Sequence, residues 1–238
     1  MLLCQCPVCQ STDPHDKRLR TSAIVRYKGV RLLIDCGPDF RTQMLRASDD
    51  RLDAVLLTHM HFDHVAGLDD LRTYSRENGF PLYAQQRVLD ALHRRIPYCF
   101  AEHPYPGVAR FAEHAVGEDN EAFAVKGVEV EPIAVMHGKL PVCGFRIGPL
   151  AYITDCKTIA DGQVERLKGV PLLVINALRI AEHHSHMSLS ETLQVVERIK
   201  PGMTYLIHMC DGIGRHADLP AILPDGVEPA HDGLIVNV

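Results

Sequence analysis

The sequence predicts one α/β domain, residues 1–238, from three observations. The chain has 238 residues and 46% of them are hydrophobic, which is enough to bury a large core. Short β-branched and aliphatic segments such as 53–57 are typical of buried strands, whereas the apolar spacing of 86–96 is typical of an outer helix. Histidine or aspartate follows several strand-like segments directly, so we expect polar side chains to collect where strands end.

In the first half of the chain, strands alternate with helical or irregular segments. The predicted strands are 21–27, 30–34, 53–57 and 81–84, and a helix follows at 86–96. Lys28-Gly29 predicts a hairpin between the first two strands. From 97 to 120 the sequence contains proline, glycine and histidine with little periodicity, which is typical of a lid or binding loop. We expect this irregular region to determine substrate specificity.

The second half of the chain repeats the alternation of strands and helices. Strands are predicted at 128–135, 145–147, 150–154, 172–176, 203–207 and 234–236, and helices at 161–167, 188–199 and 219–222. Ser188 and Glu191 have the spacing of a capping box, which fixes the start of the second of these helices.

Composition and charge exclude several classes of protein. The formal net charge is −5, and the basic residues are scattered along the chain, which argues against a protein that grips long nucleic acid. No apolar run approaches the ~20 residues that a membrane span requires. Met1-Leu2-Leu3-Cys4 resembles a lipoprotein cleavage box but lacks the charged and apolar segments of a signal peptide. We therefore expect a cytoplasmic protein that acts on a small molecule.

The densest group of metal-ligand residues follows the predicted strand 53–57. Residues 58–64 read Thr-His-Met-His-Phe-Asp-His, and a helix is predicted directly afterwards, from Ala66. His59 and His61 alternate, so both can bind one metal ion, while Asp63 and His64 point to a second position nearby. Imidazole and carboxylate suit zinc, manganese or iron. The alternative interpretation is a polar loop in which the histidines occur by chance.

A second candidate metal site lies near the start of the sequence, where three of the eight cysteines are found. Cys4, Cys6 and Cys9 have the spacing of thiolates that wrap one zinc ion, and Pro7 stiffens the turn between them. The alternatives are a redox-inert loop and a labile disulfide. A fourth ligand must come from elsewhere in the chain.

The histidine motif of residues 59–64 resembles the signature of the metallo-β-lactamase fold superfamily, whose members are mostly two-metal hydrolases. The resemblance implies an αββα sandwich and three further ligands, each after a strand-like segment, at His137, Asp155 and His208. It implies two divalent ions, zinc or manganese: one held by His59, His61 and His137, the other by Asp63, His64 and His208, with Asp155 bridging them. Asp63 is thereby also a candidate catalytic residue.

The cysteine motif resembles one branch of that superfamily, which contains the phosphoribosyl cyclic phosphodiesterase of bacterial phosphonate breakdown. The branch implies a structural zinc on Cys4, Cys6, Cys9 and the residue three positions after His208, where this chain has Asp211 instead of histidine. The neighbouring Cys210 is the alternative fourth ligand, because zinc favours thiolate. The branch also has a strand before the cysteines, whereas this sequence begins at Met1; a misassigned start, a truncated chain and a variant without the strand are the alternatives.

Two further residues receive roles. The branch implies that His186, just before a predicted helix, protonates the leaving group, for which an ordinary pKa near 6.5 is suited at neutral pH; the alternative is a polar cap residue. Asp35 follows the strand 30–34 and is a candidate to hydrogen-bond a metal-bound histidine; the alternative is a simple turn. The remaining histidines and cysteines near these segments are interpreted as structural or surface residues, namely Cys99, His103, His114, His183 and His184.

The function predicted from these features is metal-dependent hydrolysis of a small phosphodiester, such as a cyclic nucleotide-like or ribosyl phosphate. A tRNA-processing endonuclease of the same superfamily is a second possibility, which the acidic charge and the lack of a long basic arm disfavour. Hydrolysis of a thioester or lactam is a third, since the same metals polarise carbonyls. A non-catalytic metal-binding module is the alternative from another class. The sequence leaves the oligomeric state open; related enzymes are commonly dimers, so the resemblance allows a homodimer.

Overall fold

The computed structural model describes residues 3–47, 51–75, 78–117 and 121–238. The chain divides into two compact units, one of residues 20–132 and one of residues 1–19 together with 133–238. The prediction of a single domain stays a prediction. Among the described residues, no helix has the length and apolar character needed to cross a bilayer.

The unit of residues 20–132 is built on a five-stranded sheet. Its strands are β1 (Ala23–Tyr27), β2 (Val30–Ile34), β3 (Ala54–Leu56), β4 (Phe80–Gln85) and β5 (Phe111–Val116), in that spatial order. The first two strands are antiparallel, and the other neighbours are parallel. The helices are α1 (Phe40–Ala47), α2 (Phe62–Val65) and α3 (Gln86–Arg95), with 3-10 segments at Leu68–Thr73 and Pro97–Cys99. A short strand, β6 (Phe123–Val125), follows.

Local sequence explains the start of this sheet. Lys28 and Gly29 have φ of +48° and +77°, the left-handed pair that a two-residue hairpin turn requires, and the predicted hairpin is confirmed. All three residues of β3 are buried, as is typical of a parallel strand covered on both faces. The predicted buried strand that precedes the histidine motif is therefore also confirmed.

The second sheet has eight strands. After β6, its strands are β7 (Val128–His137), β8 (Leu140–Ile147), β9 (Leu150–Ile153), β10 (Thr158–Ile159), β11 (Leu172–Asn176), β12 (Met203–Ile207) and β13 (Val227–Pro229). Their order is β10-β7-β8-β9-β11-β12-β13, with β6 paired to β7. The four neighbouring strands β9, β11, β12 and β13 are parallel, so their carboxyl ends lie at one edge of the sheet. The helices are α4 (Asp161–Leu167) and α5 (Leu189–Ile199), with 3-10 segments at Pro14–Asp16, Asp211–Ile213 and His216–Ala221.

The start of α5 is set by the predicted capping box, which is confirmed. Ser188 Oγ accepts a hydrogen bond from the Glu191 N–H at 3.4 Å, and Glu191 Oε2 accepts one from the Ser188 N–H at 2.8 Å. These two bonds satisfy backbone donors that a helix start otherwise leaves open. The capping box therefore fixes Ser188, the residue just before the helix. The loop that carries His186 ends at this fixed residue.

Three predicted elements differ in the structure. The closing strand predicted at 234–236 is wrong: the last strand is β13, whose Val227 is buried, whereas Ile235 is 78% exposed. The region 97–120 contains an edge strand, β5, whose middle residues are exposed and so lack an alternating apolar pattern; residues 118–120 lie outside the described part of the chain. The helical turn α2 overlaps the histidine motif, and a 3-10 segment at Leu68–Thr73 takes the place of the helix predicted from Ala66.

Two glycines allow the segment after β2 to pack against the histidine motif. A Cβ on Gly37 would lie 2.2 Å from the Asp63 carbonyl oxygen, and a Cβ on Gly67 would lie 2.1 Å from the Gly37 carbonyl oxygen. Two backbone hydrogen bonds of 2.8 Å join the same segments, from the Cys36 N–H to the His64 carbonyl and from the Gly67 N–H to the Cys36 carbonyl. Side chains larger than hydrogen would therefore force these segments apart.

We expect Gly37→Ala and Gly67→Ala each to lower the free energy of unfolding by about 1–3 kcal/mol, because the added methyl group meets rigid backbone. Gly162→Ala in α4 is the matched control, since its Cβ meets nothing within 4 Å and alanine favours a helix by about 1 kcal/mol. Urea unfolding followed by circular dichroism measures both effects. Unchanged stability in the first two variants would contradict the close contact.

Candidate metal centres

The histidine motif forms a compact group within the unit of residues 20–132. The chain leaves β3 at Leu56 and enters α2 at Phe62, so His59 and His61 lie in the short connection and His64 lies in the helical turn. The His59 ring centroid lies 4.6 Å from that of His61 and 4.3 Å from that of His64. His59 and His64 are buried. The sequence-predicted imidazoles are thus brought together, with Asp63 beside them on the same turn.

Asp35 orients this group through a buried network. Its Oδ2 accepts a hydrogen bond from His64 Nδ1 at 2.7 Å, and its Oδ1 accepts one from the Thr58 N–H at 2.8 Å. The Thr58 hydroxyl also donates to Asp35 Oδ2 at 2.9 Å and lies 3.0 Å from His59 Nδ1. A proton on His64 Nδ1 leaves Nε2 as the nitrogen for a metal, the arrangement typical of metal-bound histidine. Sequence reasoning identified Asp35 for this role and missed Thr58.

A second group of donors lies within the other unit, where strands of its sheet end. His137 is the last residue of β7, Asp155 follows β9, and His208 follows β12. Donor atoms of His137, Asp155 and His186 lie within 4.8 Å of one another. Asp155 Oδ2 lies 3.3 Å from His208 Nε2, and Asp155 Oδ1 lies 3.5 Å from His186 Nδ1. One buried carboxylate therefore faces two imidazoles, and the third is close by.

The backbone carbonyl of Ser185 orients His137 in a way that the sequence did not indicate. His137 Nδ1 lies 2.7 Å from the Ser185 carbonyl oxygen, which can accept only from a protonated nitrogen. The proton is thereby placed on Nδ1, and Nε2 is left for a metal. The Thr154 hydroxyl similarly donates to Asp155 Oδ2 at 2.7 Å. Both histidine groups thus contain an imidazole whose Nδ1 is engaged by an oxygen of the protein.

Three residues that follow strands have left-handed backbone conformations. Asp35 after β2, Asp155 after β9 and His208 after β12 have φ of +59°, +54° and +53°. Non-glycine residues rarely adopt this conformation, which is found most often where the surrounding structure imposes it for function. The conformation turns each strand end sharply. Lys28, Lys126 and Lys200 share it in turns and at a helix end, so among the candidate site residues it occurs at these three.

Burial changes the expected protonation of His186. Desolvation lowers the pKa of His186 to about 3, although the nearby Asp155 carboxylate acts in the opposite direction. The ring is therefore neutral at pH 7, which corrects the expectation of an ordinary pKa near 6.5. A neutral imidazole keeps one N–H donor and one acceptor nitrogen.

The cysteine motif forms a third group, also within the unit that contains residues 133–238. The sulfurs of Cys4, Cys6 and Cys9 and one carboxylate oxygen of Asp211 lie within 4.8 Å of one another. Asp211 Oδ2 lies 3.4 Å from Cys4 Sγ and 3.6 Å from Cys6 Sγ. Cys210 instead accepts a hydrogen bond on its sulfur from the Gly212 N–H at 3.3 Å. Three thiols and one carboxylate make a donor set that suits tetrahedral zinc, and the structure brings Asp211 rather than Cys210 into it.

The other candidate residues lie outside these groups, with one exception. Cys99 is buried, His103 is exposed, and His114 stacks on Tyr83 with ring centroids 4.4 Å apart. His183 lies closer than expected, with its ring 5.2 Å from that of His186. No disulfide is found among the described residues, so the disulfide alternative is not observed. Sequence reasoning also missed a contact of three half-buried rings, His15, His216 and His231.

We expect Asp211→Ala to lose one equivalent of zinc relative to the unchanged protein, because the cysteine group then has only three donors. Cys210→Ser is the matched control and should retain that equivalent, since its sulfur lies outside the group. Metal analysis after dialysis measures the difference. The reverse result, loss in Cys210→Ser and retention in Asp211→Ala, would show that the fourth donor is Cys210.

Comparison with known protein families gives matches along most of the chain. The family described as Beta-lactamase superfamily domain matches residues 30–209. An octanoyltransferase of Porphyromonas gingivalis (strain W83) is 46% identical over 233 residues, which cover 97% of this chain and 47% of that protein. The chain thus spans about half the length of that relative. A ribonuclease Z of Mycobacterium sp. (strain KMS) is 28% identical over 243 residues, covering 87% of this chain and 85% of that protein.

Solved structures give the same result for the fold. A diphosphatase from the PhnP family superposes with a TM-score of 0.90 and 37% identity, covering 98% of this chain and 89% of that chain. Zn²⁺-bound PqqB from Methylobacterium extorquens superposes with a TM-score of 0.79 over 100% of this chain and 95% of that chain. At 22% identity, the second likeness concerns the fold alone.

Proposed function

Because the chain belongs to the metallo-β-lactamase superfamily, we propose that it is a hydrolase that cleaves a small phosphodiester with two divalent metal ions. Membership follows from the family match over residues 30–209, which is more than half of the chain. The same match confirms the predicted α/β fold of the metallo-β-lactamase type. The diphosphatase structure, which is from the PhnP family, confirms the resemblance to the branch that was identified from the cysteine motif. The substrate and the ions are the proposed part.

One observation carries the proposal: in each unit the donors collect where strands end, in the chain order that the resemblance implies. The proposed ligands of one ion are His59, His61 and His137, those of the other are Asp63, His64 and His208, and Asp155 bridges the two. The contacts of His64 with Asp35 and of His137 with Ser185 support this set, because each leaves Nε2 for a metal. Imidazole and carboxylate donors suit both zinc and manganese.

Bound ions would acidify a water molecule and stabilise charge on the attacking and departing oxygens. The protein itself fixes the donors: Asp35 holds the motif from behind, and the buried Asp155 sets the direction of two imidazoles. Asp63, on the exposed side of α2, is proposed to act both as ligand and in orienting the attacking water. Such preorganisation reduces the rearrangement needed during the reaction.

His186 is the proposed donor of a proton to the leaving group. Its Nδ1 lies 3.5 Å from Asp155 Oδ1, so a proton for the departing oxygen would come from Nε2. Because burial lowers the pKa of His186 to about 3, the ring would take up a proton from water before acting, and the Asp155 carboxylate favours that form; transfer of the Nε2 proton to the departing oxygen would then leave the ring neutral. Such assistance matters most when the leaving group is a poor one.

A second candidate function is hydrolysis of an acyl thioester, and the name of the octanoyltransferase relative favours it. That name belongs to a protein about twice as long, whose other half this chain does not match. The PhnP-family diphosphatase favours cleavage at phosphorus instead. An RNA substrate, suggested by the ribonuclease Z relative, is disfavoured by the net charge of −5. The non-catalytic alternative, homodimer assembly and a cytoplasmic location stay predictions.

The proposal predicts turnover of bis-p-nitrophenyl phosphate by the protein loaded with zinc or manganese, with little turnover of an octanoyl thioester. Asp155→Ala should abolish this activity, because the variant lacks the proposed bridging carboxylate, whereas the exposed His103→Ala should retain it. Release of p-nitrophenolate measures the rate. Faster hydrolysis of the thioester would favour the second candidate, and no turnover of either substrate would favour the non-catalytic alternative.

For His186→Ala, we expect a loss of roughly 10²–10⁴-fold in kcat for a phosphodiester with an alkyl leaving group, and near-normal turnover when p-nitrophenolate leaves. The physical reason is that p-nitrophenolate departs without a proton. His184→Ala is the matched control, since its exposed ring lies two residues away and has no proposed role. Equal losses with both leaving groups would reject His186 as the proton donor.

A further inference from the structure

The N-terminal arm, residues 4–19, is joined to the segment after β12 at several points within one unit. Its cysteines meet Asp211. Asp16 Oδ1 accepts a hydrogen bond from the His216 N–H at 2.7 Å, and Asp232 Oδ2 accepts one from the Leu19 N–H at 2.9 Å. These bonds connect residues 200 and 213 positions apart. The conformation of the segment after β12 therefore depends on the arm.

Arg18 lies at the centre of this contact. Its Nη1 donates to the Cys210 carbonyl oxygen and its Nη2 to the Gly214 carbonyl oxygen, each at 3.0 Å. Nη2 also lies 3.3 Å from Asp16 Oδ1, in a pair whose side chains are only 13% and 1% exposed. One buried guanidinium thus holds both ends of the turn formed by residues 210–214.

This turn connects two of the candidate metal centres. Asp211 lies inside it, and the chain enters it from His208, two residues before Cys210. The turn has further support from two backbone hydrogen bonds, Cys210 N–H to the Leu178 carbonyl at 2.9 Å and Ile180 N–H to the Gly212 carbonyl at 3.1 Å. A movement of the turn would therefore displace both the carboxylate of Asp211 and the left-handed residue His208.

We propose that Arg18 is a positioning residue that holds the 210–214 turn so that Asp211 faces the cysteine group and His208 keeps its direction toward Asp155. Arg18 couples the two metal centres in this way without touching either metal. The part that concerns Asp211 rests on the contacts of the arm alone. The part that concerns His208 rests on the proposed function, in which His208 holds an active-site ion.

The two acceptors of Arg18 explain why arginine is required. Guanidinium presents several N–H donors in a rigid fork, whereas the lysine ammonium is a compact charge on a flexible stem. Arg18→Lys would keep a positive charge beside Asp16 but would not hold both carbonyl oxygens in one fixed geometry. This variant therefore separates positioning of the turn from simple neutralisation of the buried Asp16.

Cobalt(II) substitution tests the proposal, because thiolate-to-cobalt charge-transfer absorption comes from the cysteine group alone, and competition with a chelator gives its affinity. We expect Arg18→Lys to weaken cobalt binding there by roughly tenfold to a hundredfold, as is typical when residues supporting metal ligands are changed. Arg215→Lys is the matched control with unchanged affinity, since Arg215 pairs with the exposed Asp218 at 2.8 Å. Unchanged affinity in Arg18→Lys, or an equal loss in Arg215→Lys, overturns the proposal.

The coupling to His208 is measured by the amount of cobalt bound at the proposed active-site ligands. This amount is the total metal content minus the cobalt bound by the cysteine group. Asp211→Ala should lower this amount in the otherwise unchanged protein and have little further effect in Arg18→Lys, since the two changes then act through one turn. Additive losses overturn the coupling. If Arg18→Lys does not fold, the double variant Arg18→Gln/Asp16→Asn, which removes the fork without leaving Asp16 charged and unpaired, is measured with the same outcomes. Because both readouts concern metal binding, failure of the phosphodiesterase assay would leave this result separately interpretable.

Discussion

The sharp change of direction at strand ends is the constraint on which the candidate centres depend. Asp35, Asp155 and His208 all have left-handed backbone conformations, which cost an L-residue roughly 1–2 kcal/mol each. Surrounding hydrogen bonds offset this cost, as when Asp35 accepts from both Thr58 and His64. If the backbone stayed extended, the strands would continue and these side chains would stand on the sheet faces instead of at the strand ends. The same left-handed conformation thus strains the backbone and places the donor side chain.

The support behind each group of donors is polar and buried. Asp35 and Asp155 lie almost wholly out of water, and such carboxylates are stable only when several donors or cations face them. Neutral imidazoles supply part of this environment, and metal ions would supply the rest. The same burial keeps His186 uncharged at pH 7. Loss of hydration destabilises the charged ring by more than the nearby Asp155 carboxylate stabilises it. The buried position of His186 therefore favours a neutral imidazole over a charged imidazolium.

Much of the fold could be predicted from the sequence wherever a pattern is local. The hairpin at Lys28-Gly29 and the capping box at Ser188 depend on neighbouring residues alone, and both are found. The strand β5 could not be predicted, because its exposed middle residues give no alternation and its partner β4 supplies the pairing. The tail at 234–236 has the composition of a strand but no neighbour to pair with among the described residues. Pairing partners are a property of topology, which single segments do not encode.

For the candidate centres, residue types were predictable and their environments were not. The histidine and aspartate donors could be chosen from the resemblance to the metallo-β-lactamase superfamily together with their positions after strands. The resemblance to one branch gives Asp211 by its offset to His208. The Ser185 carbonyl that orients His137 has no side-chain signal, and the lowered pKa of His186 follows from burial that only the folded chain provides. The role of Arg18 likewise requires knowing that residues 18, 210 and 214 meet.

The cysteine group has a consequence for the unfolded chain. Cys4 and Asp211 are separated by 207 positions, so an ion shared between them would close a loop over most of the polypeptide. The entropy that such a cross-link removes from the denatured ensemble grows with the logarithm of loop length, as it does for a disulfide. Unlike a disulfide, this link would withstand reducing conditions and open when the ion is chelated. Such an ion would thus close the loop as a disulfide does, without oxidation of any cysteine.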